Sequence, residues 1–326
     1  MKEKIITKKI LKWYDLNKRS LPWRKKVSLE KKQYYTLISE FMLQQTQVST
    51  VIPFFNRFIK SLPSLNSLAK VNEKKLIKLW EGLGYYSRAR NLKKTAQVVI
   101  KNFDGKLPNN FEDLLKLPGI GNYTANAILA IAFNKPYIPL DGNIERVLKR
   151  YLYLKKEKEI QKDNLVQKKI IFGTTLRSSD YAQALMELGA IICKPNNPIC
   201  DKCPIRKKCK SYKKKDFSLT KSIKKNKDKY FILKVYKKDQ RYLLIKNTKF
   251  NFLKNLSIFP MKELSNPKNF NENLNFKMSN MNMNIKIQYS KDSQKFPFSY
   301  WLDKKKLNSY MLPSFTKKVV QYLEKN

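Results

Sequence analysis

The sequence predicts a mainly α protein that carries a smaller α+β domain at its C-terminal end. Three observations predict it. Apolar residues recur three and four positions apart from residue 5 to about residue 210. A lysine-rich stretch follows, and beyond residue 230 the pattern changes to short runs of β-branched and aromatic residues. A length of 326 residues fits two such domains.

In the first part the stripes are Ile6, Ile10, Trp13 and Tyr14, then Leu37, Phe41, Val48 and Ile52, then Ala184, Leu185, Leu188, Ile191 and Ile192. Leu-Pro pairs at 21–22, 62–63 and 107–108 and glycines at 82, 84, 105, 119 and 121 punctuate them. These residues define a helical domain over 1–210. From Ser211 to Lys229 there are eight lysines and two aspartates, which reads as an exposed basic linker over 211–229. Strands are then expected at Tyr230–Tyr236, Tyr242–Ile245 and Ile285–Tyr289, and a closing helix at Phe315–Leu323, giving a second domain over 230–326.

Composition narrows the function. An apolar content of 42% with 12% aromatic residues excludes a disordered chain. Lys and Arg number 69 against 25 Asp and Glu, a formal charge of +44, so a polyanion is the expected partner. The aromatics are interleaved with the basic residues, which favours nucleic acid over a membrane surface. No apolar run reaches the length of a membrane span, and no signal peptide is read at the start, so a cytoplasmic location is expected. Histidine is absent, which excludes histidine-based catalysis and histidine-containing metal sites.

Two segments carry chemistry. The spacing Cys193-x6-Cys200-x2-Cys203-x5-Cys209 gathers every cysteine of the chain into seventeen positions. In a reducing compartment two disulfides are not expected. Zinc and an iron–sulfur cubane both accept four thiolates; a single CxxC pair with unequal flanking gaps suits the cubane better than paired zinc knuckles. The second segment, Leu114 to about residue 130, runs from an apolar helix end through Pro118-Gly119-Ile120-Gly121 into a new helix. Its free amides suit a phosphate, although an ordinary αα-hairpin reads the same way.

Taken together, the LPGIG hairpin, the segment Pro139-Leu-Asp141-Gly-Asn143-Ile-Glu-Arg146-Val147 and the cysteine loop resemble the helix-hairpin-helix DNA glycosylases related to endonuclease III. More specific motifs resemble the adenine glycosylases of the MutY type within that superfamily. They are Leu21-Pro-Trp23-Arg24, Ser39-Glu40-Phe-Met-Leu-Gln44-Gln45, Trp80-Glu-Gly-Leu-Gly-Tyr85-Tyr86-Ser-Arg88 and Tyr181-Ala-Gln-Ala-Leu-Met-Glu187-Leu-Gly-Ala190.

The resemblance implies a [4Fe-4S] cluster on the four cysteines and a monomer acting on double-stranded DNA with adenine mispaired to 8-oxoguanine or guanine. It implies Glu40 as general acid with a raised pKa, Asp141 as the ionised stabiliser of a cationic sugar, and Tyr123 and Asn143 beside them. Leu21, Trp23 and Arg24 match the base pocket, while Gln45 and Tyr85 match residues wedged into the stack after base flipping. Arg88 and Glu187 lie in the matched motifs and join the hairpin's Gly119 and Gly121 as DNA or base contacts. Tyr123 stands where relatives that also cut the backbone carry a Schiff-base lysine, so base release alone is expected. The C-terminal domain resembles a Nudix-like lesion reader without the catalytic glutamate box, and Met278-Ser279-Asn280 stands where that family carries Phe-Ser-His. Ser279 is thus the expected lesion contact. Three rivals are an endonuclease III-like enzyme for oxidised pyrimidines, a non-catalytic damage sensor and a general nucleic-acid coat protein.

Overall fold

Helix Leu29–Leu43 buries an unbroken run from Thr36 to Met42, so it presents no solvent face over nearly two turns. Such a helix belongs at the centre of a bundle. The computed structural model describes residues 5–154, 175–218, 226–265, 267–278, 281–290, 296–305, 310 and 312–325. Within these, the chain divides into two compact units: Met1–Val71 with Arg90–Ser222, and Asn72–Ala89 with Ile223–Asn326. Ser279 and Asn280 lie outside the described residues.

The first unit is helical. Ser28 accepts from the Lys31 amide and starts the central helix, so the lysine-rich stretch after Trp23 supplies that helix's first turn. A reciprocal capping box between Ser64 and Ser67 starts Leu65–Lys70, and Asn110 caps Phe111–Leu115. Helix Ile5–Asn17 buries Ile10, Leu11, Trp13 and Tyr14 in a core with Ile144, Leu148, Tyr181 and Leu188. Two helices end in single π-helical turns, Ile128–Ala132 after Asn122–Ala127 and Leu188–Ile192 after Ser178–Glu187. The hairpin joins Phe111–Leu115 to Asn122–Ala127.

Residues 211–218 are mostly exposed, yet they are tied to the helical unit. Lys210–Lys214 is helical and Ser211 is fully buried. Tyr153 donates to Asp216 at 2.7 Å, and Arg150 donates to the Phe217 carbonyl. These hydrogen bonds tie the segment to the end of helix Gly142–Leu152, against what its lysine content suggested.

The second unit holds the strands. β1 (Lys227–Val235), β5 (Met261–Leu264), β6 (Leu274–Met278) and β7 (Met281–Tyr289) form one sheet in the order β5-β1-β7-β6, with β1 and β7 parallel. β2 (Lys237–Lys238), β3 (Arg241–Lys246) and β4 (Ser257–Ile258) form another, in which β8 (Ser299–Asp303) pairs with β3. Helix Ser314–Leu323 packs Phe315, Val319 and Val320 into the same core as Phe231, Leu244 and Ile285. Met278, the last residue of β6, pairs with Met281, the first of β7. Among the described residues no helix is long and apolar enough to cross a membrane.

Gly119 fixes the hairpin's approach to the central helix. Its φ is +81°, and a Cβ there would stand 2.9 Å from Asn91 Cβ and 3.0 Å from Phe41 Cε1. Backbone conformation and space both demand glycine. Gly119→Ala is expected to cost about 1–3 kcal/mol in urea unfolding. An unchanged midpoint would refute the close approach.

Candidate active site

The central helix carries Glu40 inward at 5% exposure. Asp141 arrives from another element and is fixed differently. It is the N-cap of helix Gly142–Leu152, and its Oδ1 accepts from the Ile144 amide at 2.7 Å. Its Oδ2 accepts from Asn143 Nδ2 at 2.8 Å. Tyr123, from the first turn of the helix after the hairpin, hydrogen-bonds to Glu40. The three groups line one cavity of about 800 Å³ within the first unit.

Burial pushes the Glu40 carboxyl up to about 7; Asp141's charge adds to the rise, and the Tyr123 hydrogen bond and Arg24 oppose it. Asp141 is also raised by burial, but the Ile144 amide, the donors of Asn143 and the charge of Arg146 act against the rise. The Tyr123 hydroxyl is driven upward, first by burial and then by both carboxylates, so it remains a neutral donor. The two acids thus differ in kind. Glu40 holds its proton near neutral pH, with Oε2 buried and lacking a hydrogen-bond partner, whereas Asp141 meets donors on both oxygens.

Leu21, Trp23, Arg24, Gln45 and Asn143 line the same cavity. Trp23 is held edge-on against Phe55 at 5.3 Å. Glu187 is fully buried and is not on the cavity wall; it pairs with Arg19 at 2.8 Å and with Arg24, both of which do line it. Its place is therefore behind the wall, holding two guanidinium groups in position. Gly121 is the exposed N-cap of helix Asn122–Ala127 and supplies no side-chain cap.

Tyr85 and Arg88 belong to the second unit. Tyr85 is 41% exposed with φ of +48°. Arg88 turns inward, donating to the carbonyls of Leu83 and Gly84, with its guanidinium over the rings of Trp80 and Tyr85. Its buried position makes it a brace for the turn that presents Tyr85. Tyr86 is a core residue at 6% exposure.

The sequence reading missed Gln183 and Ile131. Gln183 is buried on the cavity wall, with Nε2 donating to the Ser179 carbonyl at 3.2 Å. Ser179 in turn donates to the Ile131 carbonyl at 2.9 Å, inside the π-helical turn. Ala190, on the wall from the second π-helical turn, completes this side. No sequence pattern signals a π turn, which widens a helix by one residue at such a site.

The cysteines close a loop beyond this wall. All four are free thiols, and Cys193, Cys200 and Cys209 lie within electrostatic reach of Cys203. Burial, with the charge of the neighbouring cysteines adding to it, raises Cys200, Cys203 and Cys209. Among the described residues no three His, Cys, Asp or Glu side chains form a single-ion site. A tetrahedral zinc would draw sulfurs to about 3.8 Å apart. Arg150, 2% exposed, donates to the carbonyls of Lys194 at 2.6 Å and Pro195 at 2.7 Å and shapes the loop's first turn. A continuous chain then links loop to site: Arg146 donates to the Cys193 and Gly189 carbonyls and to Asn143 Oδ1, and Asn143 donates to Asp141.

A helical hairpin, an acid-lined cavity and a cysteine loop thus lie together in the first unit. The model of the HhH-GPD superfamily of base excision DNA repair proteins matches residues 38–170. An adenine DNA glycosylase of Buchnera aphidicola subsp. Baizongia pistaciae is 45% identical over 62% of this chain and 57% of its own length. That of Buchnera aphidicola subsp. Schizaphis graminum is 38% identical over 78% of the chain and 74% of its own. The Homo sapiens adenine DNA glycosylase is 39% identical, and the match spans 38% of it, so the chain matches under two-thirds of the first and of the human relative. A solved thermostable thymine-DNA glycosylase superposes with a TM-score of 0.57 at 29% identity, over 64% of this chain and 96% of that one. A trapped endonuclease III–DNA intermediate shares the fold, with a TM-score of 0.53 at 23% identity over 64% and 96%. The chain belongs to the adenine DNA glycosylase family of the HhH-GPD superfamily.

The raised Glu40 makes a stability prediction. Its folded pKa of about 7 exceeds the ordinary 4.5, so its contribution is full below about 4.5 and lost as pH rises through 7. Glu40→Gln should therefore gain stability over the parent across that window, reaching at most about 3 kcal/mol near pH 8. Equal unfolding midpoints at pH 8 would show that Glu40 is not held protonated.

Proposed function

We propose that this protein excises adenine from duplex DNA by hydrolysing the N-glycosidic bond of a flipped nucleotide, acting on adenine opposite 8-oxoguanine or guanine and leaving an abasic site. The observation that carries the reading is the pairing of a protonated Glu40 with a donor-satisfied Asp141 in one cavity. Adenine leaves poorly as an anion. A proton delivered to its ring by Glu40 makes it a neutral leaving group, and Asp141 then stabilises the positive charge left on the sugar. Tyr123, neutral and bonded to Glu40, orients the carboxyl and favours the carboxylate it becomes once the proton has left. Having lost its proton, Glu40 is a base suited to draw one from the incoming water.

Tyr123 also argues for base release alone. A lyase step needs an amine to attack the sugar, and the phenol in the hairpin position offers none. Leu21 and Trp23 give the base an apolar slot, with Arg24 at its edge. Gln45 and Tyr85 are proposed to fill the gap left in the stack, and the glycines of the hairpin to let its amides approach phosphates. The +44 charge supports a double-stranded DNA partner. A cytoplasmic, nucleoid-associated monomer fits that partner.

Cys193, Cys200, Cys203 and Cys209 would hold a [4Fe-4S] cluster. When bound, it supplies a structural knot and a one-electron redox centre. The residues' own part is clearer: Arg146 transmits the position of the Cys193 carbonyl to Asn143 and so to Asp141. In the second unit, the mixed sheet with its parallel β1–β7 pair and packed helix supports a Nudix-like reader of the opposite base, with Ser279 as its proposed contact.

Two measurements test the reading. Single-turnover adenine release from a duplex with A opposite 8-oxoguanine should be detectable, and should decline as pH rises through about 7 when Glu40 ionises. Glu40→Gln should slow it by about a thousandfold or more while retaining DNA binding; no release by the parent protein would overturn the assignment. Separately, purified protein should show a broad absorption near 400 nm and four irons per chain; Cys203→Ser should lose both. A stoichiometric zinc content with no such absorption would refute the cluster.

A further inference from the structure

Within the second unit, the turn after helix Glu73–Trp80 is built to present one side chain. Three of its residues are left-handed: Gly82 with φ +106°, Gly84 with φ +71° and Tyr85 with φ +48°. For a tyrosine that conformation is strained and must be held by its surroundings. Trp80, fully buried, donates from its indole to the Gly84 carbonyl at 3.1 Å. Arg88 donates to the carbonyls of Leu83 and Gly84 and lies over the Tyr85 ring. These contacts stiffen the turn from the side of its own helices.

Glu81, at the entrance of the turn, has a different partner. Its side chain is 14% exposed and pairs with Lys317, 30% exposed, on the C-terminal helix Ser314–Leu323. Lys78, one turn earlier in its own helix, takes the other oxygen at 2.8 Å. Burial acts to raise Glu81, and the bonds from Lys317 and Lys78 outweigh it, so the carboxyl lies below its ordinary range. A pair this sheltered is screened less by salt than a surface pair. On the far side of Lys317, Phe315, Val319 and Val320 anchor its helix in the core that includes β1 and β7.

We infer that Lys317 is a positioning residue: its ion pair with Glu81 ties the turn that presents Tyr85 to the C-terminal helix, so that the lesion-reading domain sets how firmly the wedge is held. This rests on the reading of Tyr85 as a wedge and of the second unit as the reader. Lys317 pairs with Glu81 rather than with the carboxylates Glu40 and Asp141. Its effect runs through the backbone of Glu81–Tyr85, and that turn leads directly into helix Ser87–Asn102, along which the chain passes into the first unit.

The test compares full-length Lys317→Met with the parent protein, with Lys304→Met as control. Lys304 pairs with Glu324 at 3.1 Å, beyond the other end of the same helix. Hydrogen exchange at the amides of residues 82–86 should accelerate by about fivefold in Lys317→Met and not in Lys304→Met. Single-turnover adenine release from the 8-oxoguanine duplex should slow by a similar factor, with its pH midpoint near 7 unmoved because the acid is untouched. The exchanged pair Glu81→Lys with Lys317→Glu should restore both. Unchanged exchange at 82–86, equal effects from Lys304→Met, or faster exchange with an unaltered release rate would each overturn the inference. Should the parent release no adenine, the wedge reading fails with the proposed function, whereas the exchange comparison still decides whether the ion pair holds the turn.

Discussion

The site depends on keeping a carboxyl in a place that disfavours its charge. Glu40 sits in the fully buried stretch Thr36–Met42 of its helix, where an ionised glutamate would be costly and a protonated one is merely a polar group with one good bond. Everything near it follows from that constraint. Tyr123 supplies a neutral donor where a lysine would ionise the acid. Asp141 is kept at the start of another helix, where backbone amides and Asn143 offset its charge. Gly119 allows the hairpin carrying Tyr123 to approach the central helix, and Gly189, where a Cβ would stand 2.6 Å from Asn143 Cβ, allows the Asn143 side chain its place.

Much of this was legible in the sequence because motif and period coincide there. Ser39 to Leu43 of the Ser39–Gln45 motif close the helix whose run from Thr36 to Met42 is buried on every side, and the Asp141-Gly-Asn143 segment was singled out by its motif. The elements missed have no local signature. A π turn costs one residue of register and leaves composition unchanged, yet two such turns set Ile131 and Ala190 on the cavity wall. Glu187 and Arg88 are charged residues in matched motifs, and charge suggests a surface; their burial arises from partners Arg19, Arg24 and the 83–84 carbonyls, distant or backbone groups that spacing does not reveal. In residues 211–218 the lysines are exposed, but they say nothing of the hydrogen bonds that Arg150 and Tyr153 make there.

The basic character of the chain divides into two kinds of cation. Lysines are mostly at the surface, where a flexible, hydrated charge serves a polyanion without fixed geometry. The arginines named here are turned inward: Arg24, Arg88, Arg146 and Arg150 each hold backbone carbonyls or a buried carboxylate. A guanidinium with several rigid donors can bind loop carbonyls that no helix or strand satisfies. The net charge therefore overstates the number of groups available to DNA, and the irregular loops around the site owe their shape to the remainder.

Backbone strain falls where the proposed wedges are. Gln45, in the short connection from the central helix to Val48–Ser61, has φ of +58°, and Tyr85 has φ of +48°. Neither residue is a glycine or an asparagine, the types that adopt this conformation at little cost. A turn that only reversed the chain would be more stable with one of those. What a large side chain adds at such a point is a projecting group on a backbone that neither helix nor strand can supply, and Gln45 and Tyr85 are both exposed or nearly so. The cost is carried by stiff neighbours, the buried helix on one side and Trp80 with Arg88 on the other. Strain retained at two projecting polar or aromatic tips is an arrangement that folding alone does not require and that the proposed insertion into a base stack would use.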